Sequence, residues 1–265
     1  MTTLDEAALE AAEPQVPLRK RAWMQMRKKY VGTISGIILL VFIFVAIFAP
    51  LLAPYDPIEP NTAERLAGVS ASHLLGTDEL GRDVFSRILV GARASLFVGF
   101  VSTLMGAAVG TVFGISSAYF GGKYDLVVQR FVDALQAFPG LVMAMALVAV
   151  LGASLWNVTL AIMLSTVAIK TRVARSGALA VMASPYVEGA RIGGCSDFRI
   201  MTRYVLPNAM APILVSMSIS LGGAILAESS LSFLGLGPPP PAPTWGSMMS
   251  GSARSYIQMA PWLAL

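Results

Sequence analysis

Apolar residues in this chain are gathered into long unbroken runs rather than alternated with polar ones. The run "GIILLVFIFVAIFAPLLA" at 36–53 lacks the in/out alternation of a barrel strand. It also exceeds the roughly 7–15 apolar residues of a signal-peptide core, and it follows the acidic start "TLDEAALEAAE". It predicts a retained membrane-spanning helix at about 31–54, because about 20 residues of helix cross a bilayer core. The segment 55–93 is proline-rich early and of mixed charge later. Within it, "HLLGTDELGRDVFSRILVGARASL" opens as a turn and continues with apolar residues at helical spacing, an amphipathic helix entering the membrane. The second span, about 94–119, carries Gly106, Gly110 and Gly114 at intervals of four, a small-residue stripe that lets another helix approach closely. From Ala134 to Ile169 no residue is charged; as one helix this stretch would be about 54 Å long against a core of about 30 Å. It must fold back, and "GASLWN" at 152–157 supplies the turn, giving two spans with Lys170 and Arg172 snorkelling at the end of the second. A fifth span runs from about Ala209 to Leu236, "GPPPPAPTWG" forms a rim, and "APWLAL" opens a sixth.

The predicted fold is therefore an all-α polytopic transmembrane helix bundle with about five spans and the start of another. Composition agrees: 55% of the 265 residues are hydrophobic and 13% charged, where soluble domains carry about 25% charge. The single Cys195 excludes a disulfide framework and a multi-cysteine metal site. Charge orients the chain. Arg19, Lys20, Arg21, Arg27, Lys28 and Lys29 precede the first span, which makes 1–30 a cytoplasmic tail by the positive-inside rule. Segment 55–93 is then external, and 94–265 is a core with a cytoplasmic loop at 184–208. Arg82, Arg87 and Arg93 lie outside, but Asp78, Glu79 and Asp83 are interleaved with the first two. A net charge of +4 thus reflects topology rather than nucleic-acid binding.

The loop "SPYVEGARIGGCSDFRIMTRYVLPN" reads as two short helices. Ser184 and Pro185 open the first, Gly193-Gly194 stop it, Ser196 and Asp197 start the second, and Leu206-Pro207 lead into the fifth span. Apolar and basic groups are left available to a partner.

Within it, "EGARIGGCSDFRIMTRYVLPN" resembles the EAA loop of the membrane subunits of ABC importers. Glu188, Gly189, Ala190, Gly194, Leu206 and Pro207 occupy the recurring positions, with Gly189 in place of the usual Ala. "HLLGTDELGRDVFSRILVGARASL", "AESSLSFLGLG" and "PPPAPTWGSMM" are similar to segments of the dipeptide and oligopeptide permease branch, and the resemblance covers about 20–265. It implies a type I ABC importer-like permease in the plasma (inner) membrane. It further implies a heterodimer with a second permease, two cytoplasmic ATP-binding subunits docked through the EAA loops, and an external solute-binding protein. Related chains complete a sixth span beyond "APWLAL".

The chain itself has no phosphate-cradling loop, since "GGKYD" lacks the upstream glycine and the Ser or Thr after Lys. No cofactor is expected on this chain, and ATP and Mg belong to the partner ATPase. No catalytic group or metal site is expected: His73 is a lone imidazole, and no Ser-His pair or His-carboxylate cluster falls among the spans. Glu228, with Ser229 and Ser230 in "AESSLSFLG", is an ionisable group inside a span and marks either a translocation path or a buried hydrogen bond. Arg130 and Asp133 pair locally at i, i+3. Nickel or another small solute in the same fold, and a membrane scaffold or sensor using the cytoplasmic loop, remain the alternatives to peptide transport.

Overall fold

The computed structural model describes residues 30–250, 255–256 and 258–264. The basic cluster at 19–29, the remainder of the amino-terminal tail and Leu265 lie outside the described residues. The chain divides into two units, Met1–Phe44 and Val45–Leu265. The described part of the first is the opening of helix α1 (Tyr30–Leu52). Its Ile34, Ile37, Leu40 and Val41 are all more than half exposed, as suits a helix solvated by lipid.

In the second unit, α2 (Val84–Phe120), α3 (Gly122–Gln136), α4 (Gly140–Leu151), α5 (Leu155–Met182), α6 (Pro185–Ile192), α7 (Asp197–Phe233) and α8 (Trp245–Met248) follow in order. Four helices, α1, α2, α5 and α7, are long and apolar enough to cross a membrane, and the bent pair α3–α4 brings the number to five.

Helix α2 begins where Asp83 accepts the Ser86 N–H and runs unbroken for 37 residues, about 55 Å at 1.5 Å per residue. The expected amphipathic helix and the second span are thus one rod, and the division at 93/94 falls inside it. Gly121 and Gly122 both take positive φ, 59° and 54°, which glycine adopts without steric cost; two residues reverse the chain into α3. The third span differs from a straight helix. Pro139 has no N–H to donate and disfavours helical geometry at Phe138, so α3 and α4 meet at 85°. Helix α4 has 12 residues, about 18 Å, too short to cross alone. The chain then turns back through Gly152 (φ 88°), and Ser154 caps α5 by accepting the Asn157 N–H at 3.1 Å.

Helix α2 packs along α5, and α7 lies against both. The α2–α5 seam is set by glycines. A Cβ at Gly110 would lie 2.7 Å from Lys170 Cβ and 2.9 Å from the Thr171 nitrogen, and one at Gly114 would lie 2.7 Å from Ala174 Cβ. Lys170 therefore does not snorkel as expected. It is buried, 4% exposed, its stem pressed on Gly110 while its amine makes no hydrogen bond among the described residues. The apolar core follows from these contacts, with Val98, Val148, Val158, Ile162 and Leu231 at its centre.

Candidate functional site

The 184–208 loop is seated by one face. Ser184 has the extended backbone of a helix cap, but its hydroxyl does not cap, because the Val187 N–H goes to the Ser184 carbonyl at 3.0 Å. At the other end of α6, Gly194 takes φ 75°. The Gly194 N–H reaches the Arg191 carbonyl and the Cys195 N–H the Ala190 carbonyl, each at 3.1 Å; this paired closure satisfies the last carbonyls of a helix. Glu188 in the first turn and Arg191 in the last match the helix dipole.

Val187, Ile200 and Val205 bury against Ile115 and Ala118 of α2 and Ala178 of α5, with Ala190, Cys195 and Leu206 packed around them. Tyr119 at the end of α2 donates to Asp197 at 2.6 Å, and the Arg191 guanidinium sits over its ring at 5.5 Å. The opposite face is open. Glu188, Gly189, Gly194 and Pro207 are exposed, and beside them Ile192 is 81% and Phe198 73% exposed. Ile192 was not singled out by sequence reasoning; its signal was register, five residues on from the buried Val187. Phe198 was expected on one apolar stripe with Met201 and Val205 by helical spacing, but with the wider π turn at Ile200–Val205 between them Val205 is buried and Phe198 stays exposed. The chain then enters α7 through a wider π turn, Ile200–Val205, closed by the Leu206 N–H to the Met201 carbonyl. Pro207 follows directly; its missing N–H could not serve an ordinary α turn.

At depth in the unit, Glu228 is fully buried. Its two oxygens accept the hydroxyls of Ser95 on α2 at 2.8 Å and of Ser232, one turn on, at 2.7 Å. The carboxylate joins α7 to α2. Ser230 turns to the Leu226 carbonyl at 2.8 Å, and the Ser229 carbonyl lies so close to Gly246 that a Cβ there would clash. The proline-rich rim is held at the same place: the Trp245 indole donates to the Ile88 carbonyl at 3.1 Å, and Thr244 caps α8 reciprocally with Ser247.

Charges elsewhere also pair in ways local spacing does not give. Asp133 keeps the expected i, i+3 ion pair with Arg130, loosely at 3.9 Å with Arg130 77% exposed, and adds a closer one to Arg172 of α5 at 2.5 Å. Arg175 grips Asp125 with two nitrogens, at 2.7 and 2.5 Å. In the 55–93 segment His73 is wedged between Asp83 at 2.9 Å and Glu64 at 3.2 Å. The Asp83 hydrogen bond above all holds the imidazole above its ordinary value of 6.5, against the opposing effect of burial, with Glu64 assisting. No cluster of three metal-ligating side chains occurs among the described residues.

Residues 110–265, which hold the seated loop, α7 and the rim, match the family described as binding-protein-dependent transport system inner membrane component. The chain belongs to that family. Residues 17–68 further match the N-terminal transmembrane domain of oligopeptide transport permease C. The permease is 41% identical to the dipeptide transport system permease protein of Alkalihalophilus pseudofirmus over 93% of this chain and 81% of that one. It is 39% identical to the glutathione transport system permease protein of Pectobacterium atrosepticum over 92% and 81%, and 36% identical to the dipeptide permease protein of Haemophilus influenzae over 94% and 86%. It is thus a multi-pass membrane component of an ABC importer, a transporter subunit rather than an enzyme, working with ATP-binding and solute-binding partners.

Proposed function

We propose that this permease conducts di- and oligopeptides inward, and that the 184–208 loop is where a partner ATPase drives it. The observation that carries the coupling role is the loop's two-sidedness. One face is fastened to α2 and α5 by Val187, Ile200, Val205 and the Tyr119–Asp197 bond, while the other offers Glu188, Ile192 and Phe198 to a partner. A partner engaging that face moves the ends of two spans with it. Peptides are the solute class because the relatives are named for dipeptide and glutathione transport.

The assembly has a second permease subunit, two cytoplasmic ATP-binding subunits that use ATP and Mg, and an external solute-binding protein. The amino terminus and the loop are cytoplasmic, in keeping with the basic residues at 19–29 and 170–203. ATP engagement closes the ATPases, and the loops follow. Moving such a two-state equilibrium from 1:99 to 99:1 takes about 5.5 kcal/mol of differential binding, within reach of nucleotide engagement at docked interfaces.

The test is Glu188→Lys in the assembled transporter. Peptide uptake is abolished while the chain still inserts and assembles with its second permease; uptake at the wild-type rate removes Glu188 from the coupling role. Wild-type protein that purifies with no ATPase at all would favour a scaffold or sensor.

A further inference from the structure

We propose that the permease has its own receiving pocket for the charged ends of a peptide, built between the 78–87 loop and the proline-rich rim. This rests on the peptide reading above and on the 55–93 segment facing outward. A cavity of about 380 Å³ is lined by Glu79, Arg82 and Arg87 together with the run 237–242, Ser232 and Ser247. That size lies at the lower end of the range for small-ligand pockets, about 300–1,000 Å³, and suits the end of a peptide.

The charges on its wall are unevenly used. Asp78 takes the Arg82 Nε at 2.7 Å and stands 3.5 Å from the Arg87 Nε, so two guanidiniums share one close carboxylate. Arg87 is also tied to the Pro57 carbonyl at 2.7 Å. Arg82 is less committed, its Nη2 only approaching Glu79 at 3.8 Å. A guanidinium offers a planar fork suited to a carboxylate, and the geometry leaves that fork on Arg82. Glu79 is correspondingly loose and presents an acceptor for an ammonium.

Among the described residues the pocket therefore carries one of each charge with spare capacity, beside walls of proline, glycine and alanine and of serines whose hydroxyls are already given to Glu228 and to the Thr244 and Ser247 carbonyls. Such a site recognises the free carboxylate and free amine that every linear peptide has and ignores its side chains. Burial of the two side chains, 12% exposed for Arg82 and 22% for Glu79, spares the contact the full screening of open water.

The test uses the whole complex, both permeases and both ATPases, in nanodiscs without the binding protein. It is labelled with a radioactive dipeptide bearing a diazirine side chain. Label is expected in residues 235–242, displaced by Ala-Ala and about tenfold less well by Ala-Ala amide or N-acetyl-Ala-Ala, the factor of one charge-assisted hydrogen bond. Arg82→Gln should erase the distinction between acid and amide. Glu79→Gln, which removes only a loose contact and keeps the fold, should erase that between free and acetylated amine.

Label elsewhere, displacement in wild type that ignores both termini, or Glu79→Gln with wild-type selectivity overturns the pocket. So does label that appears only when the binding protein is added, which would make the cavity a docking contact for that protein. Dipeptide uptake by the wild-type complex with its binding protein is measured alongside. No uptake sinks the peptide reading itself, whereas uptake with unselective labelling sinks the pocket alone.

Discussion

Replacing Gly110 with alanine tests whether the α2–α5 seam is as close as described. The added carbon would sit 2.7 Å from Lys170 Cβ, 2.9 Å from the Thr171 nitrogen and 3.0 Å from the Lys170 carbonyl carbon. Carbon atoms pack at about 3.5–4.0 Å, so the helices must part by about 1 Å there. Two of the three obstructing atoms are backbone, which no rotamer change can move aside. Overpacking of this kind costs about 1–3 kcal/mol, partly offset by the better helix propensity of alanine, up to about 1 kcal/mol. The net expectation is a loss of about 1–2 kcal/mol. Gly222→Ala is the control, because nothing lies within 4 Å of a Cβ at that helical position; there only the propensity gain remains. The assay is unfolding of the purified permease by titrated SDS in mixed micelles, followed by tryptophan fluorescence. Equal midpoints for Gly110→Ala and Gly222→Ala would refute the close seam, and with it the reason these glycines stand four apart.

Three further outcomes are expected. Because the folded His73 is held above 6.5, its contribution to the 55–93 segment is fully present below that pH and fades as pH rises through the raised value. Hydrogen exchange of residues 64–86 should therefore quicken with pH beyond its intrinsic dependence, and His73→Gln should remove the excess; an unchanged excess would dispose of the carboxylate clamp. Gly189→Ala should stabilise α6 by up to about 1 kcal/mol without affecting uptake, since a Cβ there meets nothing within the chain; lost uptake with an intact fold would place the partner's surface directly against Gly189. Glu228→Leu leaves the Ser95 hydroxyl without its acceptor, costing about 1–3 kcal/mol, while Ser232 can turn back to a carbonyl of its own helix. Ser95→Ala in the Glu228→Leu background should recover most of the loss, and no recovery would show that the carboxylate acts elsewhere.

How much of this was legible in the sequence varied with the range of the interaction. The spans, the reversal at 152–154 and the stop at Gly193-Gly194 are local matters of hydropathy and backbone freedom, and the residues announce them. Family membership was legible too, in motifs spread along the chain. What could not be read were pairings across distance. Glu228 finds Ser95 133 positions away, and Asp133 prefers Arg172 of another helix over Arg130 on its own. The sequence offers no period for either. The two carboxylates around His73 looked like part of an unremarkable hydrophilic stretch, because their meeting depends on turns at Gly76 and Gly81 with φ 68° and 75°. The bend before α4 was announced by Pro139, yet an uncharged run hid it. Lys170 was misplaced because long cations usually reach water, and only the glycine seam explains how its stem is covered.

The wide turn at Ile200–Val205 also acts as an angular gear. An α-helix advances about 100° per residue, and a π turn absorbs one residue more than the α turn it replaces. Were the same residues wound as an ordinary α-helix, the extra one would turn everything beyond it by about that angle relative to the loop. The side of α7 that carries Glu228 would then swing away from Ser95 while Val187 stayed seated. The phase between the part of the permease that meets its engine and the part that holds its core is therefore kept by one wide turn.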